Sequence, residues 1–322
     1  MNQKTEEKVL ISDFFKGKRV FITGGTGSFG HTIVRELLKL DVSNVTVYSR
    51  DEEKQLDMEG EFPDPRLDFV IGDVRDYSRL REMIKPGTDV IYHAAALKII
   101  PTCEKHPLEA IKTNLLGSLN VRKACLEIGV DKALLISTDK AVKPVNTYGM
   151  AKALAEKVWV SNSNGLPTLF SVVRYGNVVG SRGSVVPYFQ NLISQNKPLP
   201  ITDRRMTRFL ITLRQAIHLV FNATMIMVGG EIFVPKIPAC RIMDLVTAMA
   251  GEDYKCQVTG TRPGEKIAEV LISEEENRRT EDRGEYFVIH PHDGVKSDFA
   301  EEYTSDTTTQ LTVNEIRKML EE

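Results

Sequence analysis

The chain has 322 residues and a mass of 36.2 kDa. At ~100–200 residues per domain, that is one large domain or two joined ones, large enough to fold without disulfide or metal staples. Lys and Arg number 42 against 44 Asp and Glu, a net charge of −2, without the basic excess of a dedicated nucleic-acid binder.

The first eight residues are charged and lack the apolar core of a signal peptide. Apolar runs then alternate with helix-patterned stretches. Arg19 to Thr23, Val45 to Tyr48, Asp68 to Ile71, Val90 to His93 and Ala133 to Ser137 read as five buried strands. Thr32 to Leu40 reads as a helix with Ile33, Leu37 and Leu40 on one face, and Asn114 to Gly129 as a helix stopped by glycine. Val- and Ile-rich strands separated by helices predict a doubly wound parallel α/β sheet, the Rossmann arrangement. After about residue 175 the rhythm loosens, with a short strand at Gly230 to Val234, a helix at Asp244 to Gly251 and Pro/Gly-rich loops. The expected division is a dinucleotide-binding domain over 1–175, joined by part of 205–235, and a smaller α/β substrate lobe with its tail over 176–322. The tail from Asp293 to Thr309 is polar and acidic, and Val313 to Leu320 carries a helix pattern. This tail is expected to be exposed or packed on a neighbouring subunit. The stretch from Ala216 to Gly230 is interrupted by His218, Asn222 and Gly229, so it falls short of the ~18 apolar residues of a membrane span.

Gly24, Thr26, Gly27, Ser28, Phe29 and Gly30 follow the first strand and open the first helix. Glycines at this spacing allow a tight turn and close approach to a pyrophosphate, and the helix N-terminus offers free N–H groups. Where an NAD-binding unit places an acidic residue for the ribose, this chain has Ser49 and Arg50. A guanidinium suits a 2′-phosphate, so NADP is expected over NAD. The plainer alternative leaves Arg50 in solvent and gives the ribose to Asp51. Asp73 and Val74, after the third strand, are placed near the adenine, with a capping role as the alternative for Asp73. Ala94, Ala95 and Ala96 follow the fourth strand.

The fifth strand ends in Thr138, Asp139 and Lys140, and the next helix opens with Tyr148 and Lys152. Tyr and Lys four apart share a helix face, and the ammonium is expected to lower the tyrosine pKa so that a phenolate can take a hydroxyl proton. A core Tyr with a snorkelling Lys, and a strand-end ion pair at Asp139 and Lys140, are the plainer readings.

These motifs resemble the extended short-chain dehydrogenase/reductase superfamily. Within it, the chain resembles the soluble, C5-inverting UDP-N-acetylglucosamine 4,6-dehydratases of the polysaccharide-biosynthesis branch. The likeness is carried by His93 to Lys98, Lys112 to Asn114, Ser137 to Ala141, Asn146 to Gly149, Arg174 to Val178, Thr202 to Phe209 and Arg262 to Lys266. Three features sharpen it. The segment between Thr138 and Tyr148 is short, unlike that of ordinary hexose 4-epimerases. Lys140 stands where retaining dehydratases resemble a Thr-Asp-Glu pattern. Tyr148 stands where some membrane-bound relatives carry Met. The resemblance implies Asp139 as acid at sugar C6, Lys140 as base at C5 and a recycled NADP. Chemically, Lys140 must then have a lowered pKa and Asp139 must hold a proton near neutral pH.

The substrate implied is a UDP-sugar. Asn177 and Arg262 resemble the family's diphosphate-gripping residues, and Thr202, Arg208 and Glu265 belong to the same motifs. Lys98 is read as a substrate-side lysine or a surface one, and Val185 and Pro187 as nucleobase lining or simply core. Lys266 is expected to pair with Glu265. His31 is read as packed on the sheet and His93 as lying by the cofactor. His290 and His292 lack a third ligand, so no metal is expected. Cys103, Cys125, Cys240 and Cys256 have no CxxC spacing and are read as reduced thiols of a cytoplasmic protein. A homo-oligomer is expected, with no nucleic-acid or membrane partner. A UDP-sugar 4-epimerase, a C5-retaining dehydratase and a catalytically silent cofactor-binding regulator are the competing functions.

Overall fold

The structure, a computed structural model, describes residues 3–163, 165–292 and 301–321. Five apolar runs form the expected strands: β1 (Arg19–Thr23), β2 (Asn44–Ser49), β3 (Leu67–Ile71), β4 (Val90–His93) and β5 (Lys132–Thr138). A sixth, β6 (Leu169–Tyr175), follows. Three more strands, Ile232–Pro235, Tyr286–Ile289 and Thr280–Asp282, complete a nine-stranded sheet. Its order from the β3 edge is β3-β2-β1-β4-β5-β6, then 232–235, 286–289 and 280–282. Pairing is parallel out to 232–235, and the last two pairings, on either side of 286–289, are antiparallel. The reversal of strand order between β1 and β4 opens a crevice at their carboxyl ends.

Helices cover both faces. They include α1 (Gln3–Phe15), α2 (Ser28–Leu38), α3 (Glu52–Glu61), α4 (Tyr77–Met83), α5 (Ile100–Lys105), α6 (Pro107–Ala110), α7 (Gly117–Ile128) and α8 (Thr147–Val160). α2 buries Ile33, Val34 and Leu37. It starts at Ser28, four residues before the expected Thr32, because the glycine turn feeds straight into the helix. The expected helix over 114–129 is a π-helical turn, Ile111–Leu116, continuing into α7, which stops at Gly129 in the left-handed region (φ 79°). Within the turn, the Asn114 amide accepts from Leu97 N and donates to Leu97 O, both at 2.8 Å, pinning the loop after β4. Trp159 of α8 is fully buried, stacked on His93 and edge-on to Phe170.

The chain returns to this sheet late. Helix Leu213–Ile226 buries Ile217 and Val220 in its core, and a Tyr92–Thr224 hydroxyl contact of 2.9 Å ties it to β4. The stretch from Ala216 is therefore a covering helix. Among the described residues, no helix is long and apolar enough to cross a membrane. A smaller body gathers helices Val185–Ser194, Ile242–Ala250 and Val313–Glu321 around Val186, Phe189, Leu210, Leu245 and Ile316.

The tail expectation falls partly outside the described residues, at 293–300. Its described part packs on its own chain. Tyr303–Thr304 pairs with Val270–Ile272, Ser305 is fully buried, and Ile316 enters the smaller core. A buried ionic knot ties β6 and α8 to the short helix Glu274–Asn277. Arg174 at the end of β6 donates to Glu156 of α8 (2.6 Å) and Glu276 (2.8 Å), and Glu156 also accepts from Ser137.

Candidate active site

A cleft of about 730 Å³ runs along the carboxyl ends of the strands, from the glycine turn to the smaller body. Its walls carry five buried polar atoms without hydrogen-bond partners: Thr113 Oγ1, Asn177 Oδ1, Ser184 Oγ, Glu265 Oε2 and Glu269 Oε2. Orphaned polar groups of this kind mark a site shaped for a polar ligand.

At one end, Gly24, Thr26, Gly27, Ser28, Phe29 and Gly30 line the cleft. Gly24 has φ 70°, and a Cβ on it would come within 2.7 Å of Ala95 N, so only glycine lets the turn lie against the loop after β4. The N-cap of α2, Gly27, provides no side-chain cap, so the first N–H groups of the helix remain available to an anion. Ser49, Arg50, Asp73, Val74, Ala94, Ala95 and Ala96 continue the groove. Asp51 also lines it, but its carboxylate caps α3, accepting from Lys54 N at 3.1 Å and pairing with the Lys54 ammonium. Asp73 accepts from Arg75 N, Nε and Nη2, and Arg50 lies 3.6 Å from its carboxylate. The cradle fits a dinucleotide.

Thr138, Lys140, Tyr148 and Lys152 line the middle of the cleft, with Asp139 wholly buried beneath. Asn146 caps α8 through Gly149 N (2.7 Å) and donates to Gly264 O (2.8 Å), tying Tyr148's helix to the smaller body. Gly149 lies so close to the Lys140 carbonyl that any Cβ there would collide with it. This contact sets α8 against the turn that holds Asp139 and Lys140.

Lys140 Nζ donates to Asp139 Oδ1 at 3.0 Å, and Thr138 Oγ1 donates to the same oxygen at 2.9 Å. Glu269, from the smaller body, is 3.4 Å from Lys140 Nζ, 3.8 Å from Arg208 Nε and 3.7 Å from Lys266 Nζ. Burial pushes the Asp139 carboxyl up; Lys140 opposes this and the Glu269 charge adds to it. The expectation for Asp139 thus has a physical basis. Burial would lower the Lys140 ammonium, but the charges of Asp139 and Glu269 overcome it and push it up. Lys140 is therefore charged in the free protein, contrary to the expected depression. Burial pushes the Tyr148 phenol up to about 12, offset in part by Lys140 and a hydrogen bond with Thr138. Lys152 is brought down to about 8 by burial, against the pull of Glu156, and its Nζ donates to Ile136 O at 2.7 Å. Lys140 is thus the leading cation acting on the phenol in the free protein.

At the far end, Lys98, Asn177, Val185, Thr202, Arg208, Arg262 and Glu265 line the cleft. Lys98 Nζ reaches Ser181 Oγ at 3.4 Å. Pro187 does not line it; it lies on the helix whose Val186 and Phe189 fill the smaller core. Lys266 pairs with Glu269 and donates to Val142 O at 2.5 Å, so the expected Glu265 pairing is replaced. His93 does not reach the groove: it is 1% exposed, between Thr23 Oγ1 (2.6 Å) and Ser118 Oγ (2.9 Å). His31 sits on the outer side of α2 against Glu61 and Phe62 rather than the sheet. His290 contacts Glu281 at 2.9 Å, and among the described residues no group of three or more His, Cys, Asp or Glu is placed to hold a metal. Sequence reasoning missed Glu269, Ser184, Tyr188 and Lys54 on the cleft wall. Glu269 had a signal, a lone acid within the apolar run Ile267 to Ile272.

The chain is similar to proteins named as sugar-nucleotide enzymes. An inverting UDP-N-acetylglucosamine 4,6-dehydratase of Campylobacter jejuni is 47% identical over 282 residues, 86% of this chain and 84% of that one. A UDP-glucose 4-epimerase of Rickettsia bellii is 43% identical, over 95% of this chain and 96% of its own. Among solved structures, Pen from Bacillus thuringiensis superposes with a TM-score of 0.91 at 36% identity, covering 95% of this chain and 98% of that one. The dTDP-glucose 4,6-dehydratase DesIV of Streptomyces venezuelae, solved with NAD, shares the fold at a TM-score of 0.70 and 20% identity, over 77% and 86% of the two chains. A family model described as polysaccharide biosynthesis protein matches residues 20–291, and the chain belongs to that family.

Proposed function

We propose that the protein is a C5-inverting UDP-N-acetylglucosamine 4,6-dehydratase that uses NADP and gives UDP-2-acetamido-2,6-dideoxy-β-L-arabino-hex-4-ulose. The observation that carries this reading is the Asp139–Lys140 pair. It is joined by a 3.0 Å hydrogen bond, set beneath the cleft, and packed against the helix that presents Tyr148. The Campylobacter relative supports it.

The glycine turn, the α2 N-terminus, Ser49, Arg50 and the 94–96 loop would hold the dinucleotide. Arg50 and Lys54 favour a 2′-phosphate, since the neighbouring Asp51 is committed to capping α3. Bound there, a nicotinamide supplies reversible hydride acceptance. The chain's own residues manage the protons. Tyr148 acts as a phenolate, its ionisation favoured by Lys140 and by the positive charge that a bound nicotinamide would add, and takes the proton of the C4 hydroxyl, with Thr138 orienting the phenol and Lys152 lying on the same helix face. The resulting ketone acidifies C5–H. Lys140 removes that proton, Asp139 protonates the departing C6 hydroxyl, and water leaves. Hydride returns to C6 and a proton reaches C5 from the opposite face. An ammonium cannot act as a base. Proton transfer across the Lys140–Asp139 bond resolves this, because one shift turns the ion pair into a neutral amine and a protonated acid, the two forms the elimination needs. Arg208 and Arg262 would grip the diphosphate, with Asn177, Thr202 and Glu265 around the sugar nucleotide.

The Rickettsia relatives' names favour a second reading, 4-epimerisation. That reaction needs no base at C5 and no acid at C6, and it leaves the buried Asp139–Lys140–Glu269 cluster without a task. Mass spectrometry of the product from UDP-N-acetylglucosamine decides. A product lighter by one water is expected, and an isobaric product establishes the epimerase. We place the reaction in the cytoplasm, consistent with the four free thiols. We also expect a homo-oligomer, for which exposed Leu116, Leu119, Met150 and Leu154 on the α7 and α8 side offer apolar contact.

A further inference from the structure

Glu269 is an acid that the proposed reaction does not use, yet it is built into the site with care. Its carboxylate is 4% exposed. Its backbone is clamped on both sides: Glu269 N donates to Ser305 Oγ and Ser305 N donates to Glu269 O, each at 2.9 Å. Ser305 Oγ in turn meets Thr207 Oγ1 at 2.7 Å. The strand that begins at the next residue pairs with Tyr303–Thr304. The carboxylate is thereby fixed 3.4 Å from Lys140 Nζ.

The surrounding charges show why this matters. Arg208 faces the cluster from strand Thr207–Ile211, and Lys266 comes from Glu269's own segment. Lys98, from the loop after β4, is close enough to Lys140 to feel its charge. Lys140 and Asp139 come from the turn after β5, and Tyr148 faces them from α8. Three cations, Lys140, Arg208 and Lys266, thus crowd two carboxylates in a poorly solvated space, with Lys98 at its exposed rim. Without Glu269 only Asp139 would answer them, and the surplus positive charge would drive a proton out of the Asp139–Lys140 pair.

We propose that Glu269 is a positioning residue that raises the pH at which the Asp139–Lys140 pair gives up its one proton, so that the proton Asp139 must donate is held more firmly when substrate arrives. The inference rests on the acid and base roles proposed above. It adds the group that makes them available together.

The test compares the parent with Glu269→Gln and Glu269→Asp. In the resting protein, carbon-13 shifts of the Lys140 Cε and the Asp139 carboxyl follow the pH at which the pair gives up its proton, with Lys140→Arg and Asp139→Asn for assignment. That pH should fall by more than about one unit in Glu269→Gln and recover in Glu269→Asp. The basic limb of the pH–rate profile should fall with it. Arg208→Gln, followed by the same shifts, should move the pair's titration the opposite way and keeps the test available if Glu269→Gln does not fold. An unmoved titration in Glu269→Gln, or in Arg208→Gln in its place, overturns the inference whatever the rate does. A moved titration with an unmoved rate profile upholds the charge role of Glu269 and overturns the acid and base roles assigned to Asp139 and Lys140.

Discussion

The buried imidazole of His93 should make the fold sensitive to mild acid. The ring is 1% exposed and lies between two hydroxyls, Thr23 Oγ1 at 2.6 Å and Ser118 Oγ at 2.9 Å, with Trp159 stacked 5.5 Å away. Burial, aided by the charge of Lys152, brings its pKa down to about 3. The folded value lies below the unfolded value of about 6.5, so the fold prefers the neutral ring. The associated stability is complete above about pH 6.5 and drains away as pH falls toward about 3. At about pH 5 the unfolded ring is almost wholly protonated and the folded ring is not. Linkage then gives a loss of about 2 kcal/mol, growing to about 3 kcal/mol near pH 4. Urea unfolding at about pH 7 and pH 5, for the parent and His93→Gln, measures this directly, because other titrating groups cancel in the difference. The parent should lose about 2 kcal/mol more than the variant over that interval. Equal losses would mean that the imidazole is charged or hydrated in the fold, and the reasoning would fail.

Three further predictions concern the site. Tyr148→Phe should keep dinucleotide binding by fluorescence titration and lose turnover by roughly 10²–10⁴, the range for a missing general acid–base group. Gly149→Ala pushes a methyl group into the Lys140 carbonyl and should cost roughly 100-fold in kcat with little change in dinucleotide affinity. Arg50→Ala should cut the preference for NADP over NAD by roughly 10–100-fold, the value of a charge-assisted phosphate contact; an unchanged ratio would return the ribose to Asp51.

Much of the sheet was readable because β1, β4 and β5 are buried on both faces and so carry short apolar runs. The polar α3 hid, since only Gln55 and Met58 of its ten residues are buried. The last two strands hid for a related reason. Thr280–Asp282 is a polar edge strand, and its pairing with Tyr286–Ile289 is a contact between late chain and an early-built sheet. The glycine turn and the Tyr148–Lys152 spacing were legible because each lies on one local element, whereas the roles expected of Asp139 and Lys140 came from the family resemblance. Electrostatics was not legible. The ammonium of Lys140, on a different turn, bears on Tyr148, and its charge is held by Asp139 beside it and also by Glu269, more than a hundred residues away in sequence. Pro187 failed as a site residue because an apolar run at a cleft edge looks the same whether it faces ligand or core; here the helix presents Val185 and Phe189 to the cleft and turns Val186 into the smaller core.

The most direct test of the central claim is proton NMR of the purified protein with UDP-N-acetylglucosamine in D2O. The account predicts a 6-deoxy-4-keto product carrying deuterium at C5, with C5 inverted early in the reaction, as expected if Lys140 removes the C5 proton and Asp139 releases the C6 hydroxyl. A product that retains the C5 configuration would contradict the role given to Lys140, and a C4 epimer with its C5 proton intact would contradict the dehydratase itself.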